Sequence, residues 1–312
     1  MTGFFLPFQQ WPYSFVSSEY GFIMKYSIKD LEIISGIKAH TIRAWEQRHT
    51  IFTPHRDTNN NRLYTTEELK CLLNISFLNK RGFKISHLAK YSAEELGLKV
   101  LNEFSIGEEP EVTMHHWLLA TLEMDEVLFE RILSESVVKK GLEQTLIESL
   151  FPFMQKIGTL WHAGFVASSH EHFISNLIRR KIISAIDCLT LDTSSTAKVF
   201  LLFLPEGEWH ELVLLFSHYM IKKKGHQVIY LGQSVPWEDI ELLSTQRRAD
   251  FIITVITFPQ MEVEVDFYLT RLSKSFRSSE ILLAGPYVGT TPLPKLSNVS
   301  ILNGPEDLKK YL

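Results

Sequence analysis

Thr41-Ile42-Arg43-Ala44-Trp45-Glu46 sits inside a longer segment, Tyr26-Ser27-Ile28-Lys29-Asp30-Leu31 through Ser35-Gly36-Ile37 and on to Arg48. Ile28, Leu31 and Ile34 recur three apart, which places them on one face of a first short helix. Gly36 permits a tight turn. Ile37 and Ile42 would hold a second helix against the first, leaving Lys38, His40, Thr41, Arg43 and Trp45 pointing outward. Such a pair is the helix-turn-helix unit, whose second helix enters a DNA major groove. An ordinary helical hairpin with a solvated basic face has the same apolar pattern. The residues downstream have to separate the two.

After Arg48 comes Pro54-His55-Arg56-Asp57-Thr58-Asn59-Asn60-Asn61-Arg62-Leu63-Tyr64. An Asn run favours turns and positive φ. Extended residues on either side predict a small hairpin, a wing tipped with Arg56 and Arg62, whose guanidinium groups suit phosphate oxygens. Glu67 to Asn79 then reads as a helix, with Leu69, Leu72, Leu73, Ile75 and Leu78 mostly on one side. Gly82 and an amphipathic stretch with Ile85 and Leu88 follow. This order resembles the MerR family of transcription regulators. The matching residues are Tyr26-Ser27-Ile28, Ser35-Gly36, Thr41 to Glu46, Pro54-x-Arg56, Arg62-Leu63-Tyr64 and Arg81-Gly82-Phe83. The resemblance implies double-stranded operator DNA as a partner and a dimer or tetramer. Lys38, His40, Thr41, Arg43 and Trp45 would meet the groove or its backbone, and Arg56, Arg62 and Tyr64 would be wing contacts. Asn61 stands where the family usually has Gly before the wing Arg; Asn tolerates the left-handed region, so the turn should survive.

The charge supports a one-ended nucleic-acid binder. Net charge is −4, yet twelve Lys or Arg stand against eight Asp or Glu between Met24 and Glu95. That segment is therefore +4 and the remainder −8. Cys71 and Cys188 make neither a disulfide framework nor a CxxC metal site and suit a reducing cytosol. No apolar run reaches the length of a membrane span, and residues 1–23 lack the basic start of a signal peptide. They read as an extension before the folded part, either a disordered tail or an artefact of start-site choice with Met24 the natural first residue. A cytoplasmic protein is expected.

The fold expected is multidomain: an all-α winged helix-turn-helix headpiece (24–95), a linker (96–111), a four-helix bundle (112–190) and an α/β Rossmann-like, flavodoxin-like parallel-sheet domain (195–312). Bundle helices are predicted over 112–121, 123–136, 139–156 and 166–186, the last capped by Ser168-Ser169. Its core face would be Phe173, Ile174, Leu177, Ile178, Ile182 and Ile183. From Lys198 the period changes to strand–helix alternation, which argues a doubly wound parallel sheet with ligands beyond the strand C-termini.

Two clusters exceed what packing requires. Trp161-His162 lies in a corner and Glu171-His172 early in the last bundle helix. A corner Trp is often a core plug, and an early Glu-His pair often plain helix surface. The spacing Trp-x9-Glu-His nevertheless resembles the helical cap over cobalamin in CarH/LitR-type regulators. That resemblance implies contacts from Trp161 and Glu171 to the cofactor's adenosyl group, and an upper axial role for His162 after photolysis. Glu208-x-His210, with Lys224-Gly225-His226 to Pro236, resembles the cobalamin-binding fold of methionine synthases, mutases and these regulators. It implies His210 as lower axial ligand to cobalt, Glu208 as its orienting carboxylate, and Thr254 and Gly285 near the nucleotide tail. Val213 and Pro286 replace glycines of that pattern. Adenosylcobalamin is thus the implied cofactor and control of operator binding, with a possible light response, the implied function. The rivals are a regulator answering another ligand or a partner protein, and a corrinoid methyl carrier or mutase subunit.

Overall fold

A computed structural model describes residues 25–57, 60–103, 110–162, 166–190, 197–257, 265–285 and 293–312. The extension 1–23, the whole 104–109 segment and Pro286 lie outside the described residues. The chain divides into two compact units, residues 1–105 and 106–312.

The first unit opens with β1 (Tyr26–Ser27) and α1 (Ile28–Ser35), followed by α2 (Ala39–His49), β2 (His55–Arg56) and β3 (Arg62–Tyr64). Ser27 and Asp30 form a reciprocal capping box that starts α1, and Gly36 at φ 72 ends it. The tight turn to α2 is pinned from α1: the Glu32 carboxylate accepts from the Ala39 amide and the Lys38 ammonium, both at 3.0 Å. Glu32 therefore supplies the α2 cap that Lys38 lacks, and these bonds hold its carboxyl below the usual range. The wing is three-stranded, not two: Tyr26-Ser27 joins it, giving the order β1-β3-β2. Its turn has positive φ at Asn60 (φ 64), one residue before the Asn61 expected from sequence.

Helix α3 (Thr66–Lys80) begins with a second capping box, Thr65 with Glu68, and buries Leu69, Leu72, Leu73, Ile75 and Leu78. A short α4 (Ile85–Leu88) and then α5 (Ala93–Glu103) complete the unit. Residues 96–103 were expected in a linker but form most of α5, where Leu96 and Val100 are fully buried. Gly97 made the stretch look like a break, but apolar burial outweighs its helix penalty of about 1 kcal/mol.

The second unit begins with the helices α6 (Pro110–Glu123), α7 (Glu126–Thr145), α8 (Phe151–His162) and α9 (Ser168–Asp187). The break expected near residue 138 falls instead at Gly141 (φ 80), and a π-helical turn over Leu146–Leu150 leads into α8. Trp117, Phe129 and Phe153 pack as a buried aromatic trio with centroids 5.5–6.4 Å apart. Each such ring contributes roughly 1.5–3 kcal/mol through burial. On α9, Ile174, Leu177, Ile178 and Ile182 are core as expected; Ile183 is exposed, and Ile186 takes the last buried position. Ser168-Ser169 do not cap α9: Ala167 holds the N-cap position without a side-chain bond.

Then alternate β4 (Val199–Pro205), α10 (Leu212–Lys223), β5 (Gln227–Val235), α11 (Trp237–Gln246), β6 (Phe251–Val255), α12 (Val265–Ser275), β7 (Glu280–Ala284), β8 (Val299–Ile301) and α13 (Pro305–Lys309). The five strands are all parallel in the order β5-β4-β6-β7-β8, the flavodoxin-like winding. Its switch point is the place for a ligand. Helix α9 of the bundle packs along α10, joining bundle and sheet in one unit.

Candidate functional site

Helix α2 buries Ile42 completely and leaves Lys38, His40 and Arg43 exposed, with Thr41 and Trp45 half-buried. That is the outward set expected from sequence. In the wing, Arg56 and Arg62 lie directly opposite each other across β2 and β3. Like charges at such a position oppose pairing. Arg56 is exposed and held by its own turn, donating to the Asn60 carbonyl (3.1 Å) and side chain (2.8 Å). Arg62 is steadied by Glu46, Nε to Oε2 3.2 Å.

Tyr64 requires a correction. It is fully buried, its ring edge-on to Phe52, and its hydroxyl donates to the Glu46 carboxylate. Burial, then this bond, pushes its pKa far up. A duplex does not reach it. Glu46 thereby ties α2 to the wing through Tyr64 and Arg62. Neither this role nor that of Glu32 was visible in sequence, because each bond joins different elements across a turn or a longer separation.

Beyond β4 the chain turns through Gly207 (φ 82) into Glu208-Trp209-His210. The end of β5 holds this loop: the Gly207 amide donates to Ser234 Oγ (3.0 Å), the Ser234 amide to the Glu208 carbonyl (3.1 Å), and Gln233 Nε2 to the Trp209 carbonyl (2.6 Å). Glu208 is only 4 % exposed. Its Oε1 accepts from the Trp209 and His210 amides, both 3.0 Å, and from His210 Nδ1 at 2.6 Å. Its Oε2 accepts from the Thr257 amide at 2.8 Å, just after β6. Burial alone would raise this carboxyl; the bonds from His210 and Thr257 bring it below the usual range. The same contact raises His210, against burial. An ionised Glu208 fixes the proton on Nδ1, so a neutral His210 carries its lone pair on Nε2, the form a metal takes.

Of the cap residues, Glu171 approaches His210. Trp161, at the end of α8, donates its indole N–H to Ser168 Oγ at 2.8 Å, across the corner into α9. Glu171, in the first turn of α9, lies close enough to His210 to help raise its pKa, and pairs with His172 Nδ1 at 3.1 Å. The His162 side chain lies outside the described residues. Thr254 is fully buried on β6. Its hydroxyl neighbours that of Tyr268, and neither makes a hydrogen bond of good geometry among the described residues. Gly285 has a structural reason of its own: at φ 118, a Cβ would lie 2.1 Å from the Ile256 carbonyl oxygen. Val213, in place of the expected glycine, is 40 % exposed near the start of α10.

Sequence reading missed Glu211, Arg179 and Tyr230. Glu211 is buried beside His210, paired with Arg179 of α9, and accepts from the Tyr230 hydroxyl at 2.9 Å. Only contact between elements reveals it. Among the described residues no cluster of three or more His, Cys, Asp or Glu could hold a bare metal ion. The donor set suits instead a metal that brings its own equatorial ligands. A single oriented imidazole and a buried hydroxyl in need of a partner both fit a corrinoid at this edge.

Fold and site together define a helix-turn-helix regulator carrying a cobalamin-binding module. Residues 26–95 match the MerR HTH family of regulatory proteins and residues 115–184 match the B12 binding domain. The chain thus joins a MerR-type HTH domain to a B12-binding domain, the composition of a cobalamin-responsive DNA-binding regulator. It is similar to the HTH-type transcriptional repressor CarH of Myxococcus xanthus, 26 % identical over 256 residues, covering 80 % of this chain and 85 % of the repressor. It is similar also to the repressor CarA of the same organism, 27 % identical over 236 residues, covering 73 % and 75 %. Among solved structures, the Methanosarcina barkeri monomethylamine corrinoid protein aligns with a TM-score of 0.46 at 13 % identity, covering 65 % of this chain and 93 % of that one.

Proposed function

We propose that this chain binds operator DNA through α2 and the wing, and that cobalamin held at His210 sets the strength of that binding. The observation that carries it is the Glu208–His210 pair: a buried carboxylate with four hydrogen bonds, one spent on orienting a half-exposed imidazole. Lys38, His40, Thr41, Arg43 and Trp45 are the groove and backbone contacts, with Arg56 and Arg62 on phosphates. When bound, cobalamin would supply a cobalt centre and a light-labile cobalt–carbon bond. His210 would ligate the cobalt, Thr254 would hold the nucleotide tail, and Trp161, His162, Glu171 and His172 would serve the adenosyl group. The adenosyl form is the one proposed, because Trp161 supplies a ring and Glu171, near His210, an acceptor suited to an adenosyl group.

The protein acts as a regulator, not as a methyl carrier or mutase: either enzyme role would leave the basic headpiece without a task. It works in the cytoplasm as a dimer or tetramer on a palindromic site. No helix among the described residues is long and apolar enough to cross a membrane. A ligand shifts such an assembly only through different affinities for its two states. Trp161 and Glu171 would provide the difference, since the Trp161 indole bonds Ser168 at the start of α9 and Glu171 sits in its first turn.

The test is reconstitution with adenosylcobalamin in the dark, followed by absorption spectroscopy and size-exclusion chromatography before and after green light. A cobalt-corrin band and a changed elution volume are expected. Absence of the band would remove cobalamin from the account, and an unchanged profile would remove the light response.

A further inference from the structure

Glu211 follows His210 directly and begins α10, yet its carboxylate points into the protein with a side-chain exposure of only 5 %. Its two partners come from different layers. Arg179 reaches it from α9 of the bundle, and Tyr230 from β5 of the sheet. Tyr230 is itself stacked on His218 of α10, centroids 5.2 Å apart. A buried carboxylate tolerates no loss of partners, so this contact has few arrangements open to it. Arg179 and Glu171 share α9, eight residues or about 12 Å apart at the rise of a helix. One rigid helix therefore joins the first turn that carries Glu171 to the residue that grips Glu211.

We propose that Glu211 is a positioning residue that transmits occupancy of His210 to α9 through its ion pair with Arg179. The inference rests on the corrinoid reading above. His210 is fixed by Glu208 on one side and is joined by a single peptide bond to Glu211 on the other. A displacement of the imidazole on taking a ligand is passed to the start of α10, and Arg179 carries it into the bundle. No other charged pair at this edge involves a residue adjacent to His210 among the described residues. The remaining bundle-to-sheet ion pairs, Lys223 and Lys309 on Glu143, involve the C-terminal end of α10 and α13.

The experiment is hydrogen exchange on the full chain with and without hydroxocobalamin in the dark, together with the absorption spectrum of each loaded sample. In the parent chain, loading slows exchange over residues 168–187 at least tenfold. Glu211→Gln keeps the His-ligated spectrum but loses that slowing, whereas Arg179→Lys, which keeps the charge pair, retains most of it. A purely structural role would instead raise exchange equally with and without corrinoid. Equal slowing in Glu211→Gln and the parent chain would overturn the proposal alone. A parent chain that takes up no hydroxocobalamin would overturn the corrinoid reading, and this inference with it.

Discussion

Glu208 shows how one residue turns a loop histidine into a ligand. Replacing it by Gln preserves shape but puts a weaker, neutral acceptor opposite Nδ1 and permits the wrong tautomer. Loss of such an orienting partner costs roughly 10–100-fold in metal affinity. Glu208→Gln should weaken corrinoid binding by about that factor, measured by absorption titration, and His210→Ala should abolish the His-ligated spectrum. A corrinoid that binds both variants as tightly as the parent would show that His210 is not the lower ligand. In the headpiece the residues separate differently. Arg43→Ala should weaken DNA binding about tenfold or more, because a groove-facing guanidinium contributes on the order of 1–3 kcal/mol. Tyr64→Phe should leave the affinity of the folded protein nearly unchanged and lower stability by about 1–3 kcal/mol, since it removes a buried donor from Glu46. Comparing anisotropy titrations with urea melts tells the two effects apart. Arg43 was readable from sequence because helical periodicity turns it roughly 100° away from buried Ile42. Tyr64 was misread because its outward or inward aim depends on Glu46, eighteen residues earlier.

Elements were more legible than their ends. Strands β4, β6 and β7 are near-continuous apolar runs, which parallel buried strands require, while β5 at the sheet edge is mixed and half-buried. The boundary errors share one cause: local signals overruled by packing. Gly97 suggested a linker, but Leu96 and Val100 bury against the headpiece. Ser168 suggested a cap, but its hydroxyl receives the Trp161 indole instead. Gly141 gave no sequence signal strong enough to mark it as the break, and only its φ of 80 shows it. Gly285 tests how far backbone geometry dominates at the end of β7. With a Cβ 2.1 Å from a carbonyl oxygen, Gly285→Ala must move backbone. A cost of about 2 kcal/mol or more follows from strain of this kind. It should appear as a fall of several degrees in the melting temperature of residues 106–312, with or without corrinoid. A variant melting like the parent would mean that the β7 end yields easily.

Across the whole molecule, charge and titration divide the work between the units. His218 is half-buried against Tyr230, and burial, followed by the Lys222 charge, pushes its imidazole down to about 4 from an ordinary 6.5. As pH falls below 6.5 the unfolded chain takes up this proton first. The group therefore removes stability progressively between pH 6.5 and about 4, and adds no slope below that. His218→Gln should flatten this part of the pH–stability curve in urea melts; an identical acid limb would place the proton uptake elsewhere. The basic headpiece carries +4 on a chain of net −4, so affinity for DNA should fall steeply with salt while corrinoid uptake should not. The most direct test of the account joins the two ends. Titrate the chain onto a labelled operator fragment at low ionic strength, in the dark, with and without adenosylcobalamin. A shift in Kd of about tenfold or more on loading, absent in His210→Ala, is the expected result. The same Kd for loaded and empty protein, with the corrin band present, would contradict it.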